Sequence, residues 1–182
     1  MPLPSVENIL KPFYAALDEE LSHIKKSCRK GCHYCCYDPI YADILEAEYI
    51  KIHLKHLSPS SFTVITEEWR KWFDKYSRLD LHRNDVLTRE QFMEQKRVLT
   101  LNKVKCPFLI NNECSIYEVR PVLCRTFYST GSPLSCNYSN HIDSETLCFK
   151  KNQELIALRN KFRPDFRHLL PLLPYYLRHQ FS

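Results

Sequence analysis

The sequence predicts a mainly α fold that carries one short β-hairpin. Three observations predict it. Apolar residues recur at three- and four-residue intervals through most of the chain, the period of a helix with one buried face. Residues that cap helices, namely Ser5, Thr66 and Thr88, stand just before such runs. The pair Asn111-Asn112 lies between two short apolar segments and tolerates the left-handed backbone of a tight turn.

Each element follows in turn. Val6, Ile9, Leu10, Phe13, Ala16, Leu17, Leu21 and Ile24 predict a first helix capped by Ser5, with Lys25 and Lys26 at its end. After Asp38-Pro39, the segment Tyr41 to Leu57 repeats the period with Ile44, Leu45, Ile52 and Leu54, and Ser58-Pro59 is expected to stop it. Thr66-Glu67-Glu68-Trp69 reads as a cap followed by acids in the first turn, opening a helix to about Leu79. Thr88-Arg89-Glu90-Gln91 opens another toward Leu99. Lys105 to Ile110 and Cys114 to Tyr117 flank the asparagine pair as hairpin strands, expected to carry Cys106 and Cys114 into register. Arg120-Pro121 opens a short helical turn that presents Cys124, because proline suits the start of a helix. Phe127 to His141 reads as loop, Ser144 to Phe162 as a final helix, and the tail Asp165 to Ser182 as a segment whose Leu and Tyr residues pack back on the core. With no repeat and no dividing linker, residues 1–182 read as a single domain.

At 182 residues, with 44% hydrophobic and 13% aromatic residues, the chain has enough apolar surface for a real core. Only two glycines occur, Gly31 and Gly131, which argues against the Gly-rich loops that let a backbone approach a pyrophosphate. The early acid Glu7 and the lack of a signal-like apolar run predict a cytoplasmic protein, where thiols stay reduced. The longest apolar stretch, Leu169 to Leu177, is broken by Pro171 and Pro174, so no membrane span is expected. The formal charge is +5, but Lys and Arg are spread along the chain rather than massed in a stripe, which speaks against a nucleic-acid partner.

Nine cysteines carry the chemistry, seven of them in two blocks. The first is Cys28-x3-Cys32-x2-Cys35-Cys36; the second holds Cys106, Cys114 and Cys124. Thiols so closely spaced can converge on a soft cation or an iron–sulfur cluster. Disulfides fit poorly, given an odd count, no export signal and the adjacent Cys35-Cys36, whose pairing would close a strained ring. Cys35 and Cys36 point in different directions, so they feed two metals or one of them sits outside the coordination sphere. Eight sulfurs would fill two four-thiolate sites, with Cys136 or Cys148 as the eighth; four to seven would hold one cluster. Eight thiolates around two divalent cations would bring the net charge to roughly +1. His33, inside the first block, is a weaker candidate ligand. Arg120 and Arg125 are placed to offset thiolate charge. Spacing does not separate zinc from iron.

The run ending Cys35-Cys36, joined to Cys106-Pro107-Phe108-Leu109, Cys114-Ser115-Ile116-Tyr117-Glu118-Val119-Arg120-Pro121 and Cys124-Arg125-Thr126-Phe127, resembles the CxxCxxCC family of zinc- or iron-chelating domains, also called YkgJ-like cysteine-cluster proteins. The resemblance implies a zinc- or iron–sulfur-binding domain whose biochemical role is largely unassigned. Flagellin lysine N-methylases resemble the same domain inside longer chains, which raises transfer of methyl from S-adenosylmethionine as an alternative. This chain is shorter, shows no recognisable methyl-donor site, and has three residues between its first two cysteines where many members have two. Cys28 to Cys35 also matches the spacing of radical S-adenosylmethionine enzymes, but a helix precedes the motif and no strand–helix barrel follows. A third reading is an interaction module that binds an unidentified protein or small molecule, with Trp69, Trp72 and Phe73 as its surface.

Overall fold

The computed structural model describes residues 3–26, 31–37, 39–79, 81, 88–130, 142–166 and 173–181. Helix α1 spans Val6–Ser22, and Ser5 Oγ accepts the Asn8 N–H at 3.2 Å as its cap. Its fully buried stripe is Val6, Ile9, Leu10, Tyr14, Leu17 and Leu21, with Phe13 half-buried against the same cluster, so Tyr14 joins the expected inward face. The helix stops at Ser22, short of Lys25 and Lys26, and no basic residue lies in its last turn.

Helix α2, Ile44–Lys55, begins at a capping box. Asp43 accepts from the Leu45 N–H at 2.9 Å, and Glu46 reaches back to the Asp43 N–H at 3.0 Å, satisfying amides that have no partner within the helix. Helix α3 runs Pro59–Ser77, which corrects the expected start at Thr66. Ser58-Pro59 ends one helix and also begins the next: Ser58 accepts the Ser61 N–H, and proline occupies a first-turn position where its missing N–H costs nothing. Thr66 lies inside α3, its hydroxyl donating to the Phe62 carbonyl at 2.9 Å. Helix α4, Arg89–Leu101, opens as expected at Thr88, with Gln91 completing a second capping box.

The hairpin consists of β1, Leu109–Ile110, and β2, Glu113–Cys114, paired antiparallel with Leu109 opposite Cys114 and Ile110 opposite Glu113. Asn111 and Asn112 take φ of 49° and 63°, the left-handed pair that a two-residue hairpin turn requires. This turn fixes the register, so Cys106 does not face Cys114 as expected. Cys106 lies three residues before β1 and donates its N–H to the Cys36 carbonyl at 2.6 Å. Helix α5, Val122–Thr126, follows Pro121 and presents Cys124.

Helix α6 covers Ile142–Phe162. The tail returns through α7, Leu173–Tyr176, and a 3₁₀ turn at Leu177–Gln180, burying Leu173, Leu177 and Phe181. Leu173 donates to the Ile40 carbonyl, and the Trp69 indole donates to the Pro174 carbonyl. One apolar cluster joins residues of α1, α2, α3, the hairpin, α5, α6 and the tail; Trp72, Tyr76, Leu99 and Val104 form a second. Trp69 and Trp72 are each 6% exposed and belong to the core rather than to a docking surface. Among the described residues, no helix is long and apolar enough to cross a membrane.

Candidate metal centre

The first cysteine block enters through Gly31, whose φ of 87° suits a residue without a β-carbon. Its glycine carbonyl meets His33 Nδ1 at 3.2 Å, and the His33 ring stacks on Tyr34. Tyr34–Tyr37 then forms a 3₁₀ turn that carries Cys35 and Cys36, while Cys32 precedes it, all three half-buried. The second block supplies Cys106 ahead of β1, Cys114 at the end of β2, and Cys124 in α5. The hydrogen bond from Cys106 N–H to Cys36 C=O stitches the two blocks together.

Cys32, Cys35, Cys36, Cys106, Cys114, Cys124 and Cys148 all carry thiols rather than disulfides. Burial pushes the Cys106 and Cys124 thiols well up and the Cys114 thiol up. Negative charge on Cys35 opposes ionisation of all three, and charge on Cys114 opposes it at Cys106 and Cys124. Four thiols from four separate segments therefore share one electrostatic neighbourhood. Backbone N–H groups of Phe108 and Ile116 favour the thiolates of Cys106 and Cys114, and Arg120 favours those of Cys114 and Cys124. Arg120 is held by stacking on Tyr117, 3.7 Å to the ring centroid, and by donating to the Tyr117 carbonyl.

Arg125 does not share that role. It turns away from the thiols to pair with Asp18 of α1 at 2.6 Å, donates to the carbonyls of Arg120 and Glu118, and lies over the Tyr14 ring. Its work is to bind α5 to α1. Beside Cys124 sits a group that reading the sequence did not single out. Glu46 is 1% exposed, and its Oε1 accepts the Val122 N–H at 2.7 Å and the Tyr14 hydroxyl at 2.9 Å. Burial pushes this carboxyl up to about 7 against the pull of its three donors, and its charge in turn opposes ionisation of Cys124. The pattern Asp43-x-x-Glu46 before an apolar run was legible as a capping box; the cross-chain contacts were not.

Of the remaining candidates, Cys148 lies half-buried on α6, where Asn152 Nδ2 donates to its carbonyl at 2.8 Å and approaches its Sγ at 3.3 Å. Cys28 and Cys136 lie outside the described residues. Among the described residues, no three Cys, His, Asp or Glu side chains close round a point tightly enough to hold a metal ion. The donor chemistry nevertheless fits a soft cation. Buried thiols whose ionisation is mutually opposed stay protonated alone and ionise together only when a cation offsets their charge.

A family model named CxxCxxCC, described as "Putative zinc- or iron-chelating domain", matches residues 27–154, well over half of the chain. Among curated proteins and solved structures, none matches the chain.

Proposed function

Since the chain belongs to the CxxCxxCC family of zinc- or iron-chelating domains, we propose that it binds its metal through cysteine thiolates drawn from both blocks. Cys35, Cys106, Cys114 and Cys124 form the heart of the ligand set, with Cys28, Cys32 and Cys36 as further ligands and Cys136 or Cys148 as the eighth. The observation that carries this reading is the contact between the two cysteine blocks, where the Cys106 N–H donates to the Cys36 carbonyl, with Cys106 buried and Cys114 and Cys124 half-buried. Without a cation these thiols stay protonated, because each thiolate raises the cost of the next. With one, the same burial strengthens the metal–sulfur attraction.

Zinc would act here as a closed structural tie between the first block, the hairpin and α5. An iron–sulfur cluster would add electron transfer at a potential tuned by the Phe108 and Ile116 amides and by Arg120. The protein's own residues supply the rest: Arg120 tempers the negative charge, and the Cys36–Cys106 backbone bond keeps the two blocks in register. Anaerobic purification followed by elemental analysis and visible spectroscopy tests the proposal. Stoichiometric zinc in a colourless sample, or iron in a brown one that bleaches on reduction, supports it. A correctly folded preparation that takes up neither metal when supplied with both would refute it.

A further inference from the structure

The structure assigns Glu46 as the positioning residue for Cys124, an assignment that rests on the chelating reading above. Cys124 stands two residues into α5 from Val122, the first residue of that helix. The N-terminal amides of a helix need acceptors from outside it, and Pro121 supplies no side-chain cap. The acceptor comes instead from 76 residues earlier in the chain: Glu46 Oε1 takes the Val122 N–H. The same oxygen takes the Tyr14 hydroxyl from α1, and Oε2 takes the Asp43 N–H at the start of α2. One buried carboxylate thus fixes where three helices meet, one of them bearing a candidate ligand.

Packing alone does not call for a carboxylate. Glutamine would fill the same volume without the cost of desolvating a charge. What distinguishes the carboxylate is that it only accepts hydrogen bonds, and all three of its partners are donors. An amide must turn its NH₂ toward the Val122 N–H or the Asp43 N–H, since only the Tyr14 hydroxyl can also accept. Facing Val122 it releases the first turn of α5, and Cys124 with it; facing Asp43 it opens the start of α2, the helix that carries residue 46 itself. Glu46 does not enter the centre; it acts through Val122 by holding Cys124 where the Cys35, Cys106 and Cys114 thiols are.

The test is titration of the full metal-free chain with Co²⁺ at about pH 8, where the Glu46 carboxyl is ionised, read by thiolate-to-cobalt absorption. In the expected result Glu46→Gln weakens cobalt binding by roughly 10–100-fold, the range for loss of a group that orients a ligand, and lowers the absorption per bound ion. Val122→Pro deletes the other end of the same hydrogen bond at a helical position where proline is tolerated, and is expected to weaken binding comparably. Since both changes break one contact, the double variant binds within about a factor of two of the weaker single variant. Tyr76→Leu, in the second apolar cluster, lowers the melting temperature and leaves cobalt affinity unchanged. Wild-type affinity in folded Glu46→Gln and Val122→Pro proteins, or losses that simply add in the double variant, would overturn the assignment while leaving chelation intact. A wild-type chain that takes up no cobalt overturns the chelating reading and this assignment together. If Glu46→Gln loses the wild-type circular dichroism, Val122→Pro alone decides.

Discussion

At the scale of single residues, the centre is governed by the price of burying charge. Cys106, Cys114 and Cys124 ionise reluctantly because burial and neighbouring thiolates both oppose it. Metal must therefore displace protons, and affinity is expected to fall by more than about tenfold for each pH unit of acidification, measured by competition with a chelator of known affinity. Cys106→Ser and Cys124→Ser are each expected to weaken binding beyond the roughly 10–100-fold that follows loss of an outer partner. Glu46 gives a separate pH signature in the metal-free protein. Its folded carboxyl is raised to about 7 from an ordinary value of 4.5, so the folded state holds the proton more tightly than the unfolded chain. The corresponding stability is fully present below about pH 4.5 and is lost as pH rises through 7, on the order of 3 kcal/mol at most. Urea denaturation across that window reads the slope, and Glu46→Gln flattens it.

Among the elements, the hairpin and α5 deliver the second block, and each is set by a different kind of signal. The left-handed Asn111-Asn112 turn fixes Cys114 opposite Leu109. Replacing both asparagines by alanine is expected to cost about 2–4 kcal/mol, since each left-handed alanine costs roughly 1–2, and to weaken metal binding with it; thermal melts and cobalt titration check both. The turn itself was read correctly from Asn111-Asn112, but the register was not: Cys106 was expected beside Cys114, whereas a two-residue turn leaves Cys114 only Leu109 as partner and puts Cys106 outside the ladder. The cap at Thr88 and the helical turn after Pro121 were read correctly because their signals are local; the capping box of Asp43 and Glu46 is as local but was missed, and the second helix was expected to begin at Tyr41 rather than Ile44. The start of α3 was misjudged because Ser58-Pro59 reads equally as a stop and as a start. The inward turn of Tyr14 and the departure of Arg125 toward Asp18 were not legible, since both depend on which helix faces which. The cysteine spacing announced a site, but not which thiols share a neighbourhood.

For the whole molecule, the site lies where most of the chain converges, and buried polar ties hold that convergence. Asp43 and Arg159 form a fully buried ion pair between the start of α2 and α6. Arg159→Leu strands the Asp43 carboxylate and is expected to cost about 3–5 kcal/mol in chemical denaturation. The Cys36–Cys106 backbone hydrogen bond and the metal we propose link segments about seventy residues apart, so metal binding should couple to global folding, and stripping the metal with a chelator should lower the melting temperature of the whole protein. X-ray absorption at the edge of the bound metal tests the central claim most directly. The account predicts a coordination shell dominated by sulfur, at about 2.3 Å if the metal is zinc, and lost when Cys106 and Cys124 are both replaced by serine. A shell of oxygen and nitrogen alone, or a sulfur shell indifferent to those two replacements, would contradict it.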